Sequence, residues 1–367
     1  MDFIRAFSLL VVVAWHWVFT IIIWRDDGPH ASNPIGFTKG LWIFTWTLQI
    51  MPMFFYVGGY GHLRSWEKAQ AEGRSIWELV GARAKRLAIP AGALLGVWIV
   101  IGIVLSLTLG GPWVWRAVTL VVSPLWFMAV YLMLVLLLPI ALWLHRRFDT
   151  VALVVMAGVA GLIDVARFRY DWDWLGIFNM VIIWGLCHQF GFFYERIVAA
   201  RRTLDWTMLF GGGFALAGLV GSGLYPGSMV GVPGERSNMA PPTMCIVALL
   251  FLQAGIVEII RPAVSRRLER PGWATVNDVI NRFSLPLFLF HTTGMALSRA
   301  IGYAIDGDNY ESTRPTLGWW LGRPFAVVGP LLCTLPVIYL FGRKWAKADK
   351  PAERVREPVT VGARHQP

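Results

Sequence analysis

Charge is what this sequence has least of. Of its 367 residues only 15% are Asp, Glu, Lys or Arg, 56% are hydrophobic, and the mean hydropathy is +0.56. A soluble chain of this length cannot hide so much apolar surface, so the shortage of charge leaves an integral membrane protein. Cysteine is nearly absent too. Cys187, Cys245 and Cys333 all fall inside apolar stretches with no CxxC and no pairing pattern, which excludes a disulfide framework and a cysteine metal site. No repeat at helix-pair period and no inverted pattern of broken helices can be read, which counts against a secondary transporter. The first apolar run lacks a small-residue cleavage site, so it reads as a helix and not as a signal peptide.

What the sequence has in abundance are apolar runs and indoles. Stretches of spanning length lie at about 6–24, 39–62, 88–109, 118–144, 150–168, 174–194, 205–225, 241–261, 283–303 and 318–341. These predict an all-α polytopic bundle of about ten transmembrane helices over residues 1–342, followed by a charged, Pro-containing tail over 343–367 that is expected to be disordered. Gly-Gly-Pro and Ser-Pro interrupt the 110–124 region, where a re-entrant piece would leave the parity unchanged. Many of the 20 Trp residues sit near segment ends, as interfacial belts require. The net charge of +11 would suit nucleic acid, but its distribution argues against that partner. Alternate loops, with both termini, collect 24 Lys/Arg against 13 Asp/Glu; the opposite side holds 9 of each. Basic loops stay in the cytoplasm, so both termini are expected inside an inner (plasma) membrane.

Four places could carry chemistry. Arg5 and His16 are eleven residues apart, about three helical turns, so both project from one helix face roughly 16 Å apart along the axis. An ionisable group so deep in an apolar run is a functional-site hypothesis by default. In Gly81-Ala-Arg83-Ala-Lys85-Arg86, read as a cytoplasmic loop leading into a helix, Arg83 and Arg86 share a face, with Lys85 alongside. A positive-inside cluster explains each singly; as a unit they suit bidentate phosphate binding. Gly58-Gly59-Tyr60-Gly61-His62 allows either close helix packing or close approach of a thin ligand, with His62 expected in solvent at the interface. His291 and the Cys187-His188-Gln189 run add two more intramembrane imidazoles, but no carboxylate or HxxxH spacing supports a metal site. Asp164 with Arg167 reads as an ion pair at the outer face, and Glu258 with Arg261 as its cytoplasmic counterpart.

Taken jointly these residues resemble the acyltransferase-3 family of multi-spanning membrane acyltransferases, over most of the chain. Arg5 and His16 match its Arg-x10-His, Phe54-Phe55-Tyr56-Val57-Gly58-Gly59-Tyr60 its FFxxSG[FY]-like run, and Arg83-x-x-Arg86 with Pro90 its RxxR loop. Pro124-Leu125-Trp126-Phe127 is similar to its L-W-F-L segment, and Leu285 to His291 to its late S-x-x-L-Y-L-x-H helix. Two departures stand out: Gly58 replaces the usual Ser, and Phe288 or Phe290 stands near where Tyr is common. The Trp- and Arg-rich style is similar to an actinobacterial branch, that of the mycobacterial trehalose monomycolate acetyltransferases.

The resemblance implies a bacterial O-acyltransferase that takes an acyl group, acetyl first among them, from cytosolic acyl-CoA. It implies delivery to a hydroxyl of a cell-envelope glycan or glycolipid at the outer leaflet. Arg83, Arg86 and Lys85 are then expected to hold the CoA phosphates, Arg5 to add a charge, and the pantetheine arm to pass Gly58 and Gly59. His16 is expected to act as general base or transient nucleophile, a role an imidazole with pKa near 6.5 suits. His291 is expected to assist, with His188, Gln189 and Trp126 as candidates for acceptor contact. No metal is called for. A proton-coupled transporter of lipids or sugars, a scaffold and an MBOAT-type acyltransferase are the competing readings.

Overall fold

The computed structural model describes residues 1–307 and 314–347; residues 348–367, most of the expected tail, lie outside the described residues. The principal helices are α1 (Asp2–Phe19), α2 (Met51–Ala71), α3 (Ile76–Thr108), α4 (Trp113–Val122), α5 (Leu125–Leu136), α6 (Leu138–Phe148), α7 (Thr150–Tyr170) and α8 (Gly176–Phe190). They continue as α9 (Arg202–Gly221), α10 (Met244–Leu268), α11 (Pro271–Arg282), α12 (Ser284–Asp306), α13 (Leu317–Gly322) and α14 (Val328–Val337). Each of the ten apolar stretches contains helix. Among the described residues eight helical segments are long and apolar enough to cross a membrane, and α4 with α5, bent by 47° at Ser123–Pro124, would make a ninth. The chain is a polytopic α-helical membrane protein.

Helix α12 is long enough at 23 residues but falls outside those eight, because His291, Thr292, Thr293, Ser298 and Arg299 lie along it. Its polar residues face inward: His291 and Thr292 are buried, while Ile301 and Ile305 are exposed. Most spans show the same division. Large apolar side chains such as Leu107, Leu162 and Phe214 are exposed to what would be lipid. Lipid is as apolar as a leucine core, so the bundle is held by close packing and internal hydrogen bonds, not by exclusion of water. At the contact of α9 with α10, a Cβ on Gly212 would strike the backbone of Leu252, and one on Gly255 the backbone of Leu209. Only glycine permits that approach.

Two expectations about the elements need correcting. The first apolar run is not one helix. α1 stops at Phe19, and Ile21–Arg25 (β1) pairs antiparallel with Gly28–Ser32 (β2), Arg25 opposite Gly28, across an Asp26-Asp27 turn. Three consecutive isoleucines favour extended backbone, and Asp-Asp-Gly is a turn signal. The hairpin is fastened by an ion pair between Asp27 and Arg116 and by His30 Nε2 at 2.7 Å from Asp27; the His30 contact holds the Asp27 carboxyl below its usual range. Second, Arg83, Lys85 and Arg86 do not lie in a loop. α3 begins at Ile76, where Ser75 Oγ caps the Glu78 amide (3.2 Å), so these residues lie about two to three turns into the helix. Asp164 and Arg167 form the expected ion pair (3.6 Å), and it is buried. Their side chains are 0% and 6% exposed, and Asp164 also accepts from Asn179 Nδ2 (3.0 Å), Tyr225 (3.2 Å) and the Met244 amide (2.8 Å). A buried carboxylate needs that many donors to offset its lost hydration. Glu258 is likewise buried, with Arg261 Nε at 2.7 Å.

The loop over 222–243 is strapped to the segment before α2. Trp46 Nε1 donates to Gly227 O (3.0 Å), Gln49 Nε2 to Met229 O (3.1 Å), and Asn33 Nδ2 to Gly231 O (2.9 Å). This cap lies at the same end of the bundle as the hairpin, the end toward which α1 carries His16.

Candidate functional site

The uninterrupted run of α1 fixes the spacing of Arg5 and His16 that the sequence predicts. Around each residue a separate polar cluster forms.

At the far end of α1, His16 is half-buried and its Nδ1 lies 2.8 Å from Val12 O. A carbonyl can only accept, so Nδ1 carries the proton and Nε2 keeps a lone pair. His291 on α12 packs against it with ring centroids 5.0 Å apart. The same logic applies to it: Nδ1 is 2.6 Å from Phe288 O, and Nε2 is buried with no partner. Trp17 Nε1 donates to the His291 carbonyl (2.9 Å), tying α1 to α12 at this level. The two imidazoles thus sit side by side, each anchored through Nδ1 and with no hydrogen bond at Nε2. One turn beyond His291 a pocket of about 230 Å³ opens, lined by Trp17, Met295, Ser298, Arg299 and Arg323. Arg299 Nη2 donates to Thr20 O (2.7 Å) and Arg323 Nη1 to Val18 O (3.3 Å), so both arginines cap the carbonyl end of α1.

At the near end of α1, Arg5 Nε donates to Asn281 Oδ1 (2.8 Å) and Nη2 pairs with Asp2 (3.1 Å). Asn281 in turn donates to Asp2 O (3.0 Å) and Asn277 O (2.9 Å), which fixes the amide that orients Arg5. Arg83 binds Ser65 Oγ, while its Nε is buried without a partner. Arg5, Arg83 and Arg86 lie within electrostatic reach of one another and of Tyr131 on α5. Tyr131 is flanked by Phe127 (5.9 Å) and His62 (5.4 Å). Tyr131 and Asn281 escape sequence reading. Tyr131 lies one turn past Phe127 in a run too uniformly apolar to mark it, and Asn281 meets Arg5 only through the fold.

His62 is not in solvent. It is 1% exposed, and its Nδ1 lies 2.8 Å from His188 Nε2, so one ring donates to the other. His188, a candidate for contact with an outer acceptor, therefore belongs to the Arg83 end of the molecule, away from His16. Gln189 is buried beside it, with Nε2 unpartnered. Trp126 is half-buried, its ring 6.3 Å from those of Phe127 and Trp184. Lys85 is exposed on α3.

The two glycines resolve differently from a ligand channel. A Cβ on Gly59 would overlap the His188 carbonyl, so Gly59 brings α2 against α8; Gly191 does the same from the other side, facing Tyr56 O. Gly58 faces the Tyr131 ring, 2.9 Å from where its Cβ would stand. Packing fills the space at these two positions, so no arm passes between α2 and α8 there. Among the described residues no three His, Cys, Asp or Glu side chains gather where a metal ion could sit.

Comparison with known proteins bears on what these clusters do. The model of the acyltransferase-3 family, described as an acyltransferase domain, matches residues 1–340. A curated relative, a protease HtpX homolog from Chlorobium phaeobacteroides (strain BS1), is 38% identical over 64 residues, 16% of this chain. The chain spans about a fifth (21%) of that protein's length. No solved structure matches.

Proposed function

The chain belongs to the acyltransferase-3 family, a membrane acyltransferase, and from that premise we propose that it moves an acyl group from cytosolic acyl-CoA to a hydroxyl of an envelope glycan or glycolipid. The observation that carries this reading is the imidazole pair: His16 holds a proton on Nδ1 and an open lone pair on Nε2, as a general base must. The hydroxyl oxygen attacks the thioester carbonyl while His16 Nε2 takes its proton. The tetrahedral intermediate expels the CoA thiolate, which recovers that proton as the thiol. His291 packs against the His16 ring and holds it in place, and the pocket beyond it supplies a way in for the acceptor.

Donor binding falls to the other end. Arg83, with an unpartnered buried Nε, Arg86 and Arg5 would hold the diphosphate and 3′-phosphate of CoA, with the Tyr131 hydroxyl among them. Exposed Lys85 would add to the attraction at longer range. The roughly 16 Å between Arg5 and His16 is within the span of the pantetheine arm. Gly59 has no part in that path, since α8 covers it. Acetyl is the acyl group the reading takes first, and a trehalose monomycolate-like glycolipid is the narrowest form of the acceptor.

The test is to incubate purified protein with acetyl-CoA and a cell-envelope extract and to follow thiol release. Envelope lipids and polysaccharides are then compared by mass for a gained acyl increment. Thiol release that ignores the extract, with no gained mass, would overturn acyl-CoA as donor.

A further inference from the structure

The geometry points to a seat for one anionic phospholipid in a pocket of about 380 Å³ where α2, α3 and α6 meet, on the side that carries the basic loops. This site requires nothing of the acyl-transfer chemistry. Its wall is apolar, with Trp66 from α2, Ile76 from α3, and Leu142 and Trp143 from α6; its rim is Arg146 and Arg147, in the last turn of α6. No lining residue is acidic. The donors at the rim outnumber the acceptors. Trp66 Nε1 is buried and has no partner. Arg146 reaches only the neutral Gln70 Oε1 (3.1 Å) and lies 6.0 Å over the Trp66 ring. Asp149, the nearest acid in sequence, is held by Arg196 Nη1 at 2.7 Å from each oxygen, so neither Arg146 nor Arg147 is ion-paired among the described residues.

Donors around an apolar floor select an amphipathic anion. A phosphodiester would accept from the Trp66 N–H and the two guanidinium groups, with its glycerol and upper chain against Leu142 and Trp143. The floor then runs on into lipid. Ile140, Trp143 and Arg147 share one face of α6, and Ile140 and Trp143 are 55% and 58% exposed. An acyl chain laid along that face leads from the rim toward the bilayer interior. Trp77, 67% exposed beside Ile76, completes an indole belt at this depth, where headgroups lie. A free phosphate or CoA shares the anionic chemistry but has no use for the apolar wall.

The experiment is native mass spectrometry of the full detergent-solubilised chain, titrated separately with phosphatidylglycerol and phosphatidylcholine. One equivalent of phosphatidylglycerol should be retained, and phosphatidylcholine should not. The R146Q/R147Q protein should bind phosphatidylglycerol about 30-fold more weakly, the loss expected for two basic residues at an anionic lipid. Trp66→Phe should lose about tenfold, since it removes the N–H and keeps the ring. R146K/R147K should retain most of the affinity, which separates lost charge from lost fold. Equal retention of both lipids, or unchanged affinity in R146Q/R147Q, would overturn the site. So would stoichiometric displacement of phosphatidylglycerol by millimolar inorganic phosphate or acetyl-CoA, which would make it a seat for a soluble phosphate ligand.

Discussion

Replacing His16 by Gln separates chemistry from packing. In the wild-type protein His16 makes one hydrogen bond, from Nδ1 to Val12 O at 2.8 Å, and packs against the His291 ring. A glutamine amide can still donate to that carbonyl, so the stability cost should not exceed about 1 kcal/mol, the net worth of one such bond. It cannot accept a proton at neutral pH. General-base catalysis is worth roughly 10²–10⁴-fold, or about 3–5 kcal/mol of barrier, so His16→Gln should lose at least a hundredfold in thiol release from acetyl-CoA in the presence of acceptor. Acyl-CoA affinity, set at the arginine end, should hold. His291→Gln should cost less, and the double variant should be no slower than His16→Gln alone, because two residues serving one proton transfer are not additive. Transfer by His16→Gln within a few-fold of wild type, with a lowered melting temperature, would refute the assignment and make His16 a packing residue.

The remaining expectations concern the donor end, the bundle and its orientation. Arg83→Ala with Arg86→Ala should weaken acyl-CoA binding tens-fold by calorimetry, since each charge-assisted contact is worth about 1.5–3 kcal/mol before solvent screening takes its share at the more exposed Arg86; the Lys pair should recover only part, for want of the guanidinium fork. Tyr131→Phe keeps the ring against Gly58 and removes the hydroxyl, so acyl-CoA affinity should fall about fivefold at an unchanged melting temperature. Gly59→Val places side-chain atoms on the His188 carbonyl and should destabilise the protein by about 1–3 kcal/mol or more, read as a lower melting temperature in detergent. Cysteines placed at Asp27 and Gly234 should react with an impermeant reagent from outside, and those at Gln70 and Arg266 should not; outside labelling at Gln70 would invert the topology.

Much of the bundle was legible because a membrane span has one dominant requirement, an apolar run of sufficient length. That requirement is blind to how a run ends. Ile21-Ile22-Ile23 is as hydrophobic as any helix turn, so hydropathy carried the first span past Phe19, and only the β-branched run and the Asp-Asp-Gly turn mark the hairpin. The same blindness placed Arg83 and Arg86 in a loop, because polar helical turns outside the apolar layer do not register. At the site, what the sequence displays is periodicity within one helix. Arg5 with His16 and Arg83 with Arg86 were readable on that ground. Pairings between helices were not: His62 with His188 spans 126 residues, and His16 with His291 spans 275, and no pattern in one segment announces its partner in another. Gly59 shows the cost, since packing and ligand approach demand the same residue.

The two histidine pairs invite one more step. From His16 the rings run through His291, Phe288 (5.8 Å), Phe127 (5.2 Å), Tyr131 (5.9 Å) and His62 (5.4 Å) to His188, a continuous aromatic column between the two polar ends. Continuous packing is not a proton wire. Phe288 and Phe127 carry no exchangeable proton, so nothing released at His62 can reach His291 along this column. The ring column does not join chemistry at the arginine end to chemistry at His16, whereas a molecule that reaches both would. A donor whose phosphates sit among arginines and whose acyl carbon lies at the end of a long flexible arm has that reach, which is why the proposed donor and the proposed base support each other. Substituting Phe127 by Leu tests the point. It should alter packing and melting temperature while leaving the proton chemistry at His16 intact, so the pH dependence of transfer should keep its midpoint. A shifted midpoint in Phe127→Leu would mean that the two ends exchange protons after all, by a route through ordered water.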